Sequence, residues 1–529
     1  MPKPTFGWFS LVTTLMLAAC GGSSAPPSAD AAKSSVASIQ PETDHQETAR
    51  INRVDALVRE TDPHKDGAGA EDPVVQVAVD EKAGLSPTTA VDLGTPDTTQ
   101  REQLIRNNRK SGPQWVPKAY QTGFARHAAP TGTVKRTRTT LKWSTTESGL
   151  QRARLRFTSS GAKAVRLGIQ VESIPDTAVF RVYAEGSKTA QQTTGEHINR
   201  LIRANKQRDG DSQASRTYWT PAITEENSVL EIEVPGGSDT ESLLFAIPTI
   251  NHQVETALEV NNALIGAKAT CFLTPDATCT TPLPPAANAV AAMDFVDGGN
   301  SYTCTGTLIA NRGDTQQNYF LTANHCINTQ NAASSLATLW LWRSNECNGS
   351  TPYTGTLTQS TGSIFLLGRP TFSGTTRNPI GTDTTLLKLN AQPPTGVIYA
   401  GWQHLRRPAD SSTPYMGLHH PFDAALDRQH SDYLRRSDSR LVNYGILLGV
   451  DQQGYWLDAK NDDHYPMYEV SHFSGVTEPG SSGSALFADG SSNNPQIVGQ
   501  LWGGASSCEN PSGKDYYGRF DIAYEDGLV

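Results

Sequence analysis

Apolar and polar residues alternate with a period of two over long parts of this chain. Leu155 and Phe157 stand among arginines, Val165, Leu167, Ile169 and Val171 follow at alternate positions, and Phe180 and Val182 continue the pattern. Later, Leu230, Ile232 and Val234 alternate with Glu231 and Glu233, and Pro235-Gly236-Gly237 supplies a turn. Such alternation puts apolar side chains on one face of a pleated strand. Short strands broken by turns predict an antiparallel β-sandwich over 118–250. From 266 to 529 helix formers are scarce and Gly, Thr, Ser and Asn abundant, with apolar runs Tyr319-Phe320-Leu321, Leu339-Trp340-Leu341-Trp342 and Ile497-Val498-Gly499-Gln500-Leu501-Trp502. An all-β barrel or sandwich is the class predicted there.

The alternation fades towards the N-terminus. Residues 20–117 are rich in Ser, Ala, Pro, Asp, Glu, Thr and Gln, with few aromatics, which predicts a poorly ordered leader or tether. Within it a helix is expected at 49–59, where apolar residues recur at three-to-four spacing. Residues 251–265 read as a connector. Ahead of the leader, Lys3 precedes an apolar stretch from Phe6 to Ala19, too short to span a bilayer stably. It ends in small residues and reads as an export signal over 1–19. Leu17-Ala18-Ala19-Cys20, followed by Gly21-Gly22, resembles the lipobox of bacterial lipoproteins. That resemblance implies a lipidated Cys20 that anchors the mature protein to a membrane. The absence of Asp just after Cys20 favours the outer membrane. A chain processed free of that anchor would be secreted.

Composition narrows the classes. A chain of 529 residues has room for about three domains. Its 44 basic and 53 acidic residues leave a net charge of −9, modest for this length, which argues against nucleic acid as a partner. No phosphate-cradling Gly-rich loop is present. His404, His419, His420, His430, His464 and His472 are scattered without metal-ligand spacing, so neither a metal nor a cofactor is expected. Arg435-Arg436 and the arginines between 135 and 156 read as solvated strand faces. Beyond Cys20, the cysteines at 271, 279, 304, 326, 347 and 508 all fall in the second half of an exported chain, an even number that predicts three disulfides. Their spacing permits many pairings and selects none.

Three stretches carry candidate chemistry. Phe320-Leu321-Thr322-Ala323-Asn324-His325-Cys326 is a strand running into a small-residue turn that presents a histidine beside a cysteine. Glu478-Pro479-Gly480-Ser481-Ser482-Gly483-Ser484-Ala485-Leu486-Phe487 is a Gly- and Ser-rich turn entering an apolar strand. Such a turn points a serine hydroxyl outwards while its N–H groups converge on one spot, as an oxyanion requires. Between them, Gly381-Thr382-Asp383-Thr384-Thr385-Leu386-Leu387-Lys388-Leu389 sets an aspartate immediately before an apolar strand. Singly, each has a bland reading: a histidine after a strand is usually structural, Gly-Ser runs are common loops, and any Asp can start a strand. Together, the order His325, Asp383, Ser482 is that of one class of serine peptidase and not of subtilisins or α/β-hydrolases.

These motifs resemble those of chymotrypsin-like serine peptidases, and Leu501-Trp502-Gly503-Gly504 resembles the strand that walls their primary pocket. More narrowly, 266–520 is similar to bacterial lysyl endopeptidases in its cysteine intervals, in Gly475-Val476-Thr477-Glu478-Pro479-Gly480-Ser481-Ser482-Gly483-Ser484, in His419-His420-Pro421 and in Asp515-Tyr516-Tyr517-Gly518-Arg519. The resemblance implies an all-β chain, with a chymotrypsin-like double β-barrel peptidase domain over 266–529 preceded by the β-sandwich. It implies His325 as base, Asp383 as its orienting partner, Ser482 as nucleophile, and Gly480 and Ser482 as oxyanion donors. The implied disulfides are Cys271–Cys508, Cys279–Cys347 and Cys304–Cys326. Trp502 and Gly503 would line the substrate pocket. Asp515 would be its acid, because Val476 occupies the position six residues before the serine where trypsins carry one. The implied activity is hydrolysis of peptide bonds after Lys, or Arg, in proteins and peptides.

Two features depart from the family pattern. Trp502 stands where lysine-selective members often carry His, and the chain ends about ten residues after Arg519, without the usual C-terminal helix. The sandwich reads as a pro-segment or a binding module, with Lys268 a candidate self-processing site. The competing readings are a non-catalytic protease-like adhesin and a periplasmic quality-control protease, the latter needing a peptide-binding module for which the C-terminus offers no residues.

Overall fold

The computed structural model describes residues 53–58, 74–80, 87–108, 116–117, 119–255, 274–313, 316–349, 351–371, 381–422, 433–451, 454–488 and 494–528. Strands dominate, as the alternating pattern predicts. In the N-terminal half, one sheet runs Thr217–Trp219, Ala164–Ser173, Leu244–Gln253 and Gly123–His127 in spatial order. It faces a second sheet built around Val179–Tyr183, Asn227–Val234 and Gln151–Thr158. The alternating apolar residues meet between them: Leu155, Phe157, Leu167, Ile169, Phe180, Leu230 and Ile232 are all buried in one cluster. Their polar neighbours are not simply solvated. Arg152, Arg154 and Arg181 form ion pairs with Glu231 and Glu233 across adjacent strands, opposite charges facing one another as cross-strand pairs do. The expectation of solvated arginine faces is corrected at Arg152 and at Arg435, both buried, the latter ion-paired with the equally buried Asp276.

The expected disordered leader is also corrected in part. Val75–Ala78 and Thr88–Asp92 add strands to the two edges of the second sheet, and Thr98–Asn108 is a helix. Their own period is too short to announce them; the partner strands Thr189–Thr194 and Gln151–Thr158 supply it. At 53–58 the structure has two short strands where a helix was expected. Arg53–Val54 pairs with Gly401–Gln403 and Leu57–Val58 with Ile398–Tyr399, so tertiary pairing overrides a weak helical period.

The C-terminal half holds two strand systems. Gln496–Gly504, Ala485–Ala488, Pro414–His419, Arg435–Asp451, Met467–Ser474 and Lys514–Arg519 pair in that order, and the last pairs back with the first. The result is a closed six-stranded barrel, a solution that removes sheet edges, around Leu441, Val470, Leu486, Val498 and Leu501. The other system joins Ala337–Trp340, Val290–Asp297, Asn300–Ile309, Tyr319–Ala323, Thr384–Leu389 and Ser363–Arg369, packed on Met293, Phe295, Leu308, Phe320, Trp340 and Leu387. A further cluster with Ile309, Leu321, Leu386, Leu418, Phe487 and Phe520 draws on both. This is the all-β double-barrel peptidase architecture that the family resemblance implies. Its C-terminus differs from expectation: a short helix, Phe520–Glu525, buries Phe520 and Ala523 directly after the last strand.

Two disulfides join Cys279 to Cys347 and Cys304 to Cys326. Cys508 is also disulfide-bonded; Cys271, its expected partner, lies outside the described residues, as do Cys20 and Lys268.

Candidate active site

The strand Tyr319–Ala323 ends in the turn that carries His325. Two ties fix that turn: Asn324 N–H donates to the Asp383 carbonyl at 2.7 Å, and Cys326 is bridged to Cys304. Asp383 sits just before Thr384–Leu389 with φ +58°, a left-handed conformation that costs a residue with a Cβ about 1–2 kcal/mol. The distortion aims the buried carboxylate at the histidine. Its Oδ1 accepts from His325 N–H at 3.0 Å and its Oδ2 lies 2.6 Å from Nδ1. Burial pushes the Asp383 carboxyl up from its ordinary range, while the charge and hydrogen bonds of His325 pull it back.

Ser482 arrives from the other barrel. Its turn depends on Gly480 at φ +95° and Gly483 at φ +82°. A Cβ on Gly483 would stand 2.2 Å from Thr322 Oγ1 and 2.5 Å from the Thr305 carbonyl, so the turn closes on the neighbouring strand only because no side chain intervenes. Thr305 then clamps it: its N–H donates to the Ser482 carbonyl at 2.8 Å and its hydroxyl to the Gly480 carbonyl at 2.9 Å. With the backbone so held, Ser482 Oγ lies 2.7 Å from His325 Nε2. Within the turn, Ser481 N–H and Ser484 N–H bond to the carbonyls of Glu478 and Ser481. Those of Gly480 and Ser482 meet no acceptor among the described residues.

The structure therefore brings His325, Asp383 and Ser482 into one hydrogen-bonded chain, with two free N–H groups beside the hydroxyl. A hydroxyl bonded to an imidazole that is itself bonded to a buried carboxylate is set up to lose its proton as it attacks an electrophile. Residues 92–254 match the lysyl endopeptidase N-terminal domain and residues 265–518 the lysyl endopeptidase C-terminal domain. The chain belongs to the lysyl endopeptidase family. It is a serine endopeptidase, and its substrates are proteins or peptides. A lysyl endopeptidase of Pseudomonas aeruginosa is 28% identical over 401 residues, covering 73% of this chain and 76% of that protein. Among solved structures, an inactivated protease paralogue of the scabies mite matches at 13% identity and TM-score 0.30, and a thermostable serine protease from an extremophilic microorganism at 10% and 0.29. Each covers 46% of this chain and 96% of its own, a superposition too loose to bear on this family member's fold.

Asp515 is fully buried. Its Oδ2 accepts from Thr477 Oγ1 at 2.6 Å, Ser506 Oγ at 2.5 Å and His472 Nε2 at 2.8 Å, and its Oδ1 from Ser506 N–H at 3.2 Å. The strand expected to wall the pocket runs beside it. A Cβ on Gly504 would lie 2.3 Å from Asp515 Oδ1, so glycine is required there. Gly503 pairs with Tyr516 across the strands. The Trp502 side chain is buried with Leu447, Met467 and Tyr516. Sequence reasoning missed His472, Thr477, Ser506 and the clamp Thr305. Thr477 lay inside a quoted motif. His472 looked like one of several scattered histidines, and nothing local distinguishes it.

Proposed function

We propose that this endopeptidase works through His325, Asp383 and Ser482 and cuts after lysine. The observation that carries the reading is the unbroken chain of hydrogen bonds from Ser482 Oγ through His325 to the buried Asp383 carboxylate. Ser482 Oγ adds to the scissile carbonyl as His325 Nε2 takes its proton, and Asp383 holds the Nδ1–H tautomer and steadies the imidazolium. The N–H groups of Gly480 and Ser482 receive the oxyanion, an interaction worth about 3–4 kcal/mol per donor in related chemistry. His325 returns the proton to the departing amine, and water enters by the same route to release the acid. Asp515 gives the pocket its preference: a buried carboxylate at its base pairs with the ammonium of a substrate lysine, and an apolar side chain would leave that carboxylate uncompensated.

A fluorophosphonate probe is expected to label Ser482, and S482A to abolish labelling and lower kcat on a lysyl peptide by about 10⁶. Labelling that persists in S482A would sink the assignment. The reading extends to location. Leu17-Ala18-Ala19-Cys20 supports a lipid anchor at the outer membrane, so C20S expressed in a bacterial host should move the protein from the membrane to the soluble fraction. The sandwich is the pro- or accessory domain of the same precursor.

A further inference from the structure

The imidazole of His472 is directed wholly at the pocket carboxylate. Among the described residues its ring makes one hydrogen bond, from Nε2 to Asp515 Oδ2 at 2.8 Å. An ionised carboxylate only accepts, so Nε2 carries the hydrogen. Nδ1 of the same ring is buried without a partner among the described residues, an arrangement that costs stability. A side chain kept only to fill the barrel would do better as an apolar one, such as Val470 two residues earlier.

The strand Met467–Ser474 places the ring there. Val470 pairs with Asp515 on the neighbouring strand and packs in the barrel core. Alternation returns His472 to the same face, diagonal to Asp515. Immediately beyond, the pairing slips: Ser439 faces His472 and Asp438 faces Ser474, which leaves Phe473 as an extra residue. Bulges of this kind re-aim side chains beside active sites. Here Phe473 stands exposed, with the Arg440 guanidinium 4.8 Å from the centre of its ring, while the His472 side chain is only 1% exposed.

Thr477 and Ser506, which also donate to Asp515, do so through hydroxyls. Ser506 Oγ accepts in turn from Thr477 N–H at 3.2 Å, and both hydroxyls can rotate about their C–O bonds. An imidazole N–H is fixed in the plane of its ring, so it sets the direction of Oδ2 more tightly than a hydroxyl does. A hydrogen bond to the ionised form of a carboxyl group also favours that form, and Asp515 is fully buried. We infer that His472 is a positioning residue for lysine recognition, its Nε2–H holding the Asp515 carboxylate charged and aimed for the substrate ammonium. The inference rests on the proposed role of Asp515 as the pocket acid. His472 touches none of the reacting atoms; it acts through Asp515.

Glutamine and asparagine at this position separate reach from polarity. The amide nitrogen of glutamine can stand where Nε2 stands, whereas that of asparagine falls short, near the place of Nδ1. H472N is expected to lower kcat/KM for a lysyl peptide about tenfold or more, mainly through KM. Inhibition by n-butylammonium, which has the length of a lysine side chain and probes the pocket alone, should weaken by a similar factor, and H472Q should recover most of both. Equal values for H472Q and H472N overturn the inference, as does a loss in H472N that falls on leucyl peptides as heavily as on lysyl ones. If D515N escapes n-butylammonium while H472N binds it like the wild type, the role of His472 fails and the pocket reading stands. If D515N and the wild type respond to it alike, both fail. Should neither His472 variant fold, the wild type decides: n-butylammonium should shift the NMR resonance of the His472 Nε2 proton, and an unmoved resonance overturns the inference.

Discussion

Four hydrogen bonds converge on the Asp515 carboxylate, from Thr477, His472 and both the hydroxyl and the N–H of Ser506. That network fixes the position of a buried charge that would otherwise be costly to keep. D515N preserves the shape but removes the charge and turns one acceptor into a donor facing donors. Discrimination between lysyl and leucyl peptides, read as a ratio of kcat/KM, is expected to fall about a hundredfold or more, in line with the 2–5 kcal/mol lost when one partner of a buried charge pair is neutralised. An unchanged ratio would remove Asp515 from the pocket. The sequence drew attention to Asp515 because it sits in a recognisable run of residues; nothing did so for His472, whose bond to Asp515 spans 43 positions.

At the scale of elements, the nucleophile turn is the most constrained. Gly483 needs both a positive φ and the absence of a Cβ against Thr322 and the Thr305 carbonyl. In G483A, strain of about 1 kcal/mol from the backbone adds to a contact that backbone atoms cannot relieve. Activity should fall at least as far as the loss of an oxyanion donor, about 10²-fold or more, with a lowered Tm in the same preparation. Full activity would mean that the clamp of Thr305 is dispensable. The turn was visible in the sequence through its glycines. The strands at 75–78 and 88–92 were not, because each is completed by a partner elsewhere in the chain. For the same reason the helical period at 49–59 misled.

Across the whole molecule, the sandwich and the peptidase barrels are joined by buried polar contacts. Arg166 ion-pairs with Asp294 at 3.2 Å and donates to the carbonyls of Ser335 at 2.6 Å and Thr220 at 2.8 Å. Asp209 accepts from the first two N–H groups of the short helix Gln330–Ser334, which leads out of the His325 turn. Burial lowers the Arg166 pKa and raises that of Asp294, so each relies on the other to stay charged. R166M removes the cation facing Asp294, which keeps only the Gln253 amide as a donor among the described residues, and takes a donor from two carbonyls; it should cost about 3 kcal/mol, seen as a lower denaturant midpoint for the full chain, and an unchanged midpoint would show the joint to be incidental. None of these contacts follows from a local pattern. The all-β class and the serine endopeptidase activity are legible in the sequence alone, because alternation records which face is buried and catalytic turns need particular residues in short, ordered runs. The convergence of His325, Asp383 and Ser482 and the donors around Asp515 come from the packing alone. Each is a meeting of segments far apart in the chain, and which edge pairs with which is set by the packing of the whole.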